Sequence, residues 1–259
     1  MNIEVKANNL YKNCKDLSSF DKDNFIKISS SKEAYKIQDK FIQIKENDMS
    51  DKIGGWKVAL TNPEMQKLVK VDRPVEGAIM KSLIYKSGDT ISFDQYVHLG
   101  AEAEIALKVE KNIPKNSKVF QNKIEILPYF KEVFSALEVV DDRNYADKCT
   151  FEYLVAQNSM NHGCVLSEPV VMDLMSLDQL TGKLFLSNKV FGEGTGRNVL
   201  GHPLNSVLYL INNLISRGRT LYAGDIILTG SIATTCWPIN GDIVEAKIEG
   251  LKPAKFYVN

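Results

Sequence analysis

The sequence of 259 residues predicts an α+β fold, in which a mixed and curled β-structure follows a smaller helical N-terminal part. Two observations lead to this prediction. Segments with strand character dominate from about Ile79 onward, and few helical segments separate them. The regular alternation of strand and helix that builds a doubly wound parallel sheet is missing from the pattern.

The N-terminal part contains one well-marked helix, in the stretch "SSKEAYKIQDKFIQIKEN". Ser30 and Glu33 fit a capping box at its start. Four apolar residues follow with helical spacing, namely Ala34, Ile37, Phe41 and Ile44. The stretch "DKIGGWKVALTN" then has the character of a strand, and Asn62 and Pro63 can form the cap and the first residue of a second helix.

Strands and one late helix make up most of the remaining chain. The predicted strands are Ile91–Phe93, Ala101–Val109, Val133–Val140, Lys183–Ser187, Asp225–Thr229 and Asp242–Ile248. The late helix runs through "PLNSVLYLINNLISRG", where Pro203 opens it and Gly218 ends it.

Composition and charge argue against several classes of function. Charged residues make up 25% of the chain, but the formal net charge is zero and no long run of Lys and Arg occurs, so a nucleic-acid partner is not indicated. No apolar run approaches the roughly 20 residues that span a bilayer, and the N-terminal stretch lacks the apolar core of a signal peptide. We therefore expect a cytoplasmic protein without a membrane partner, whose four cysteines, none in a CxxC motif, are reduced.

The stretch "GAEAEIALKV" places two glutamates two residues apart in an apolar run. Because side chains alternate between the two faces of a strand, Glu102, Glu104, Ala106 and Lys108 share one face. The pattern fits an amphipathic strand with one solvated face. It also fits a pair of oxygen ligands for a hard divalent cation, since two close carboxylates inside a protein need a cation or a proton.

A third glutamate lies in the apolar stretch "VFSALEVVDDR". Apolar neighbours on both sides of Glu138 predict a carboxylate inside a buried strand, which is costly unless it is paired or bound to metal. A buried salt bridge, for instance to Arg143, explains it equally well. With the first two glutamates, Glu138 could supply three oxygen ligands to Mg²⁺ or Mn²⁺, whose other positions would take water and substrate.

A lysine lies on a predicted strand in "GGWKVALTN". Strand spacing puts Lys57 on one face with Ala59 and Thr61. A lone lysine of this kind often buries its stem and keeps its ammonium group in water. The functional alternative is a cation beside a substrate carboxylate or a developing enolate.

Two glycine-containing segments are candidate ligand-binding loops. The segment "GEGTGRNVLGHP" lacks the GxGxxG spacing and no P-loop lysine follows it, so it does not indicate a nucleotide site. In "LTGSIAT", Gly230 and Ser231 end an apolar strand, where backbone and hydroxyl donors could meet an anionic ligand. A plain tight turn explains the second segment equally well.

Five motifs together resemble the hydratase/decarboxylase family of aromatic meta-cleavage pathways, within the fumarylacetoacetate hydrolase superfamily. They are "GWKVALT", "EAEIAL", "ALEVVDDR", "GTGRNVLGHPLNSV" and "LYAGDIILTGS", and they occur in the family's order from about Glu33 to the C-terminus. The resemblance implies a mixed β-roll of the fumarylacetoacetate hydrolase type. It also implies two regions, an N-terminal α/β region of residues 1–78 and a catalytic β-roll of residues 79–259.

The resemblance also implies roles for individual residues. Glu102, Glu104 and Glu138 would bind Mg²⁺ or Mn²⁺, and Lys57 would be catalytic. The implied substrate-binding residues are Thr61, Asn158 and Ser231. The partner would be a small 2-oxo acid, and the protein would be a homo-oligomer, as members of the family are.

The implied activity is that of a metal-dependent lyase on a short 2-oxo or 2-hydroxydienoate acid, similar to 2-keto-4-pentenoate hydratase. The alternative is 4-oxalocrotonate decarboxylase, because Val75 stands where hydratases often carry an Asp. Further departures are "AQNSMN" in place of the family's "ADNASS", and Leu99–Gly100 in place of Pro-Arg. A C–C hydrolase, which could use His98 as a base, and an inactive 2-oxo-acid-binding protein fit less well.

Overall fold

A computed structural model describes residues 2–19, 26–68, 70–144 and 150–259. The α-helices are α1 Ile3–Lys15, α2 Ser31–Met49, α3 Pro63–Leu68, α4 Lys123–Ile126, α5 Phe151–Ala156 and α6 Pro203–Ser216. The strands are β1 Ile53–Ala59, β2 Val75–Met80, β3 Ile84–Lys86, β4 Thr90–Ile91, β5 Leu99–Val109, β6 Phe130–Asp141, β7 Asn161–Leu166, β8 Val170–Val171, β9 Thr181–Leu186, β10 Lys189–Thr195, β11 Ile226–Ser231, β12 Ile243–Ile248 and β13 Ala254–Val258.

The strands form two mixed sheets, so the predicted α+β fold with a mixed β-structure is confirmed. The larger sheet has eight strands in the order β2-β1-β11-β5-β6-β7-β3, with β8 paired to β6. The smaller sheet has the order β10-β9-β12-β13-β4. Strand β2 leads directly into β3 and also contacts β7, so the larger sheet curls until its two ends approach each other.

The two faces of the curled sheet bury different side chains. Strand β5 turns Ala103, Ile105 and Leu107 to the main apolar core, which also contains residues of α6 and of the smaller sheet. The other face of β5 carries Glu102 and Glu104, as the period of two predicts. Glu104 is nevertheless completely buried, so this inner face is not the solvated face of an amphipathic strand.

The N-terminal helices form a second apolar core with α5. The predicted helix α2 begins as expected, with the Ser30 hydroxyl accepting a hydrogen bond from the amide of Glu33 at 3.2 Å. The Glu33 carboxylate binds the amide of Ser29 rather than that of Ser30, so the capping box is shifted by one residue. Helix α1 was not predicted, although Ala7 and Leu10 lie on a buried helical face that its sequence could have revealed.

Strands β1 and β2 extend the larger sheet rather than forming a separate layer. Their neighbour β11 lies far along the chain, and it pairs with β1 in parallel. The predicted boundary between residues 78 and 79 therefore falls inside β2 and does not coincide with a break in the sheet. The division into two regions stays a prediction.

Candidate metal centre

Three glutamates meet on the inner face of the curled sheet. Strands β5 and β6 are antiparallel neighbours, and their register sets Glu102 directly opposite Glu138. Glu104 follows on the same face of β5. One carboxylate oxygen from each of the three lies within 4.8 Å of those from the others, a spacing that a single cation with oxygen ligands at about 2.1–2.5 Å can bridge.

Each of the two buried glutamates has one oxygen held by a protein donor and one without a partner. The amide of Gly230 donates to Oε2 of Glu104 at 2.7 Å, and the side-chain amide of Asn161 donates to Oε1 of Glu138 at 2.9 Å. Oε1 of Glu104 and Oε2 of Glu138 are buried without a hydrogen-bond partner among the described residues. Buried carboxylate oxygens are rarely left unsatisfied, so this donor set fits a hard divalent cation.

The third glutamate lies where the cluster meets solvent. Glu102 is partly exposed, and its Oε1 accepts a hydrogen bond of 2.6 Å from the hydroxyl of Thr235. It therefore repeats the arrangement of the other two, with one oxygen oriented by the protein. Thr235 was not predicted as a site residue, because the link depends on how the chain after β11 crosses back over β5.

Lys57 reaches the same cluster from β1. Its Nζ lies 3.0 Å from Oε1 of Glu138 and is buried, so Lys57 does not extend its ammonium group into water. The predicted alternative of a buried salt bridge at Glu138 is thus partly correct, but the partner is Lys57. Arg143 instead donates to the side-chain carbonyl oxygen of Gln157 at 2.8 Å.

The pKa values in the cluster reflect burial and crowding together. Burial, followed by the charges of Glu138 and Glu102, raises the pKa of Glu104 well above its ordinary value. Burial also raises the pKa of Glu138, although the nearby Lys57 opposes the shift. For Lys57 burial acts to lower the pKa, but the three glutamates outweigh it and raise the pKa. With all four groups ionised the formal charge is minus two, which one divalent cation would cancel.

A bulge at the end of β11 brings the predicted glycine and serine to the glutamates. The register with β5 shifts between Leu228 and Ser231, and Ser231 lies opposite Glu104. Gly230 has a φ of +121°, and a Cβ there would lie 2.4 Å from Oγ1 of Thr61, so a side chain at this position would collide. The backbone donor that the sequence suggested for an anionic ligand thus binds a glutamate of the cluster.

The predicted substrate-binding residues differ in how free their side chains are. Thr61 is buried against Gly230, and the Ser231 hydroxyl donates to the carbonyl of Ala233 at 2.5 Å. Asn158 uses both ends of its amide on Ala78, accepting from its N–H at 2.7 Å and donating to its carbonyl at 2.8 Å. That pairing gives Asn158 a structural role, and no contact among the described residues supports its predicted role with substrate.

Two of the positions that depart from the family pattern are buried near the site. Val75 is on the same face of β2 as Gly77, which is the cross-strand partner of Lys57, but Val75 packs into the N-terminal apolar core. Asn161 is the second such position, and its hydrogen bond to Glu138 was not predicted. The sequence showed that Asn161 replaces a family serine but not what it contacts, because the contact depends on the register of β6 with β7.

His98 belongs to a separate group outside the carboxylate cluster. Its Nδ1 lies 2.8 Å from Oδ1 of Asp142, and its ring stacks on Trp237 with centroids 4.0 Å apart. The ring of Trp237 occupies the place of a side chain at Gly100, where an added Cβ would lie 2.7 Å from it. No contact among the described residues joins His98 to the glutamates.

The curled mixed sheet and its carboxylate cluster belong to a chain of the fumarylacetoacetate hydrolase class. The model of the Fumarylacetoacetate (FAA) hydrolase C-terminal family matches residues 36–259, and the chain is a member of this family. It is 31% identical to 2-keto-4-pentenoate hydratase of Burkholderia vietnamiensis over 215 residues, which cover 81% of each chain. It is 27% identical to 4-oxalocrotonate decarboxylase of Pseudomonas putida over 254 residues, 96% of this chain and 90% of that one.

A solved structure shows the same fold over nearly the whole length. It is 4-oxalocrotonate decarboxylase from Pseudomonas putida G7 complexed with magnesium and adipate, with a TM-score of 0.90 and 23% identity over 99% of this chain and 97% of that chain. The resemblance predicted from the motifs is confirmed, and with it the expectation of an enzyme of the hydratase and decarboxylase type. No helix among the described residues is long and apolar enough to cross a membrane.

Proposed function

We propose that this protein is a divalent-metal-dependent lyase for a short 2-oxo or 2-hydroxydienoate acid, of the 2-keto-4-pentenoate hydratase type. One observation supports the proposal above all others. In each of three glutamates one carboxylate oxygen accepts a hydrogen bond from the protein, and the other oxygen is left for a cation. A buried lysine lies beside them. Two of its relatives are named 2-keto-4-pentenoate hydratase, and that name specifies a substrate of this class.

The chain's own residues have distinct tasks in this proposal. Glu102, Glu104 and Glu138 would hold Mg²⁺ or Mn²⁺, and the ion would supply Lewis-acid stabilisation of negative charge on a bound 2-oxo acid. Lys57 is held as an ammonium ion by the glutamates. It can donate a hydrogen bond to an anionic substrate, or donate a proton to a dienolate carbon.

The substrate would lie against the end of β11. Gly230 leaves room for the side chain of Thr61, and Ser231 follows it at the rim of the cluster. Because the hydroxyl of Ser231 donates to Ala233, its lone pairs remain to accept a hydrogen bond from substrate or water. Thr61 and Ser231 are therefore the substrate-binding residues that we retain, with Asn158 positioning the neighbouring turn.

Decarboxylation of 4-oxalocrotonate is the second candidate. Val75 favours it, because an apolar residue is buried where hydratases often carry an Asp. Both reactions pass through a dienolate, so one set of charged residues can support either. We also propose the cytoplasmic location that the sequence predicted and the homo-oligomeric state that the family resemblance implied.

A single pair of assays tests the proposal. The protein is incubated with Mg²⁺ and either 2-hydroxypenta-2,4-dienoate or 4-oxalocrotonate, and the ultraviolet absorbance of each is followed. We expect metal-dependent loss of one absorbance, abolished by a chelator and restored by Mg²⁺ or Mn²⁺. Failure to consume either compound with any divalent ion would contradict the proposed function.

A further inference from the structure

Residues 158–160 form a strained turn beside the site. Asn158, Ser159 and Met160 have φ values of 61°, 56° and 60°, three consecutive residues in the left-handed region without a glycine. Residues other than glycine rarely adopt this backbone conformation, and it persists only where the surroundings enforce it. Strain of this kind is concentrated at functional sites, so an unsatisfied group in this turn points to a function.

The turn is fixed against the strand pair that carries Lys57. The side chain of Asn158 is bound at both ends to the backbone of Ala78. A Cβ added to Gly77 would lie 2.5 Å from the carbonyl oxygen of Asn158 and 3.2 Å from Cβ of Ser159. Gly77 is directly opposite Lys57, and side chains of opposite residues in antiparallel strands share a face. Ser159 therefore lies over the lysine's face of the sheet.

The hydroxyl of Ser159 is buried, and no described residue forms a hydrogen bond with it. The residue is 1% exposed, and its Oγ has no hydrogen-bond partner among the described residues. Other buried serines are satisfied: the hydroxyl of Ser206 donates to the carbonyl of Thr229 at 2.6 Å, and that of Ser135 donates to the carbonyl of Ala246 at 3.3 Å. An unsatisfied buried hydroxyl destabilises the fold, and a strained backbone adds to that effect.

We infer that Ser159 is a substrate-binding residue, whose hydroxyl donates a hydrogen bond to the anionic head of a 2-oxo acid beside the ammonium group of Lys57. This inference rests on the proposed function and extends it to a residue that the sequence did not suggest. The strained turn holds the hydroxyl in place before substrate arrives, so little side-chain freedom is lost on binding. Substrate then supplies the acceptor that the described residues do not.

Two serine variants separate this role from a structural one. Ser159→Ala removes a hydroxyl that makes no hydrogen bond to the part of the chain that the structure describes, so the melting temperature of the variant should equal or exceed that of the wild type. Ser206→Ala removes a satisfied hydroxyl and should melt lower while keeping activity. Ser159→Gly is the second test variant, because glycine accommodates the left-handed backbone and also lacks the hydroxyl.

The measurements are kcat/KM with the active dienoate, and binding of pyruvate to the Mg²⁺-loaded protein by calorimetry. We expect both Ser159 variants to lose about 10- to 100-fold in kcat/KM, mainly through KM, and a similar factor in pyruvate affinity, as the loss of a hydrogen bond to a charged group implies. Ser206→Ala should change neither. Wild-type kcat/KM and pyruvate affinity in both Ser159 variants would overturn the inference and leave the proposed function standing. A wild-type protein that neither consumes a dienoate nor binds pyruvate would overturn both.

Discussion

The sharpest test of the metal centre is the variant Glu104→Gln. Glu138 is a less informative target, because its removal also takes away the salt-bridge partner of Lys57. Glu104 has no such ion pair among the described residues, and a glutamine at this position can still accept the hydrogen bond from Gly230. The substitution therefore removes one negative charge from the cluster with little other change.

The size of the effect follows from the distances. At an effective dielectric constant of about 20, two unit charges no more than 4.8 Å apart repel by at least about 3 kcal/mol, and Glu104 has two such neighbours. The raised pKa of Glu104 means that the metal-free protein relieves part of this repulsion by binding a proton. Because the folded state then binds more protons than the unfolded state, stability falls as pH rises from the unfolded pKa towards the folded one.

The assay is thermal melting at pH 5, 7 and 9, with chelator or with Mg²⁺ or Mn²⁺. The melting temperature of the metal-free wild type should fall as pH rises, and that of Glu104→Gln should fall less. The variant therefore becomes the more stable protein at high pH. An ion at about 100 times its Kd should stabilise the wild type by about 2.7 kcal/mol, which corresponds to about 5–10 °C in a chain of this size. Glu104→Gln should lose most of that shift.

Glu132→Gln is the matched control. Glu132 lies on β6, the strand next to that of Glu104, and pairs with Lys108 at 2.8 Å, but it is partly exposed and does not belong to the carboxylate cluster. Its variant should keep the wild-type response to metal. The reasoning is refuted if Glu104→Gln and wild type melt alike at pH 9 without metal and gain equally when metal is added.

Three further substitutions probe the surroundings of the cluster. Lys57→Met should keep the metal-induced rise in melting temperature but lower kcat by at least about 100-fold, since it removes the ammonium group that is paired with Glu138. An unchanged kcat would exclude Lys57 from the mechanism. Val75→Asp should raise hydration relative to decarboxylation, and a folded variant with an unchanged product ratio would contradict this expectation. It should also lower the melting temperature, because a carboxylate enters the N-terminal apolar core. Asn158→Ala should destabilise the fold by about 2–4 kcal/mol, since it leaves the buried N–H and C=O of Ala78 unpaired. A denaturant midpoint like that of wild type would show that contacts other than these two hydrogen bonds hold the turn.

Local patterns predicted the parts of the site that depend on one strand at a time. The period of two placed Glu102 and Glu104 on one face, and apolar neighbours placed Glu138 inside a buried strand. Their meeting depends on the register of β5 with β6, which the sequence does not specify without the family resemblance. The reach of Lys57 to Glu138 depends further on the curl of the sheet, because three strand spacings separate their strands.

The residues that the sequence missed all act across elements distant in the chain. Asn161 and Thr235 orient the glutamates from β7 and from the segment after β11, and only the folded register brings them there. Asn158 was assigned to substrate because it matches a family motif, but its amide is bound to β2. A motif match identifies a position that matters, and it does not say whether the side chain faces the ligand or the backbone.

Burial of a carboxylate does not by itself mark a metal centre, and this chain contains the comparison that shows why. Glu76 is as deeply buried as Glu104, on the opposite face of β2 from Gly77. Its two oxygens are both satisfied, one by Arg217 and the other by the hydroxyl of Tyr35 at 3.2 Å. Glu76 needs no further cation, whereas the glutamate cluster keeps unpaired oxygens and an excess of negative charge. The two sites therefore differ in whether their carboxylate oxygens have hydrogen-bond partners and in whether their charges balance. Added metal and the Glu104→Gln variant measure that difference.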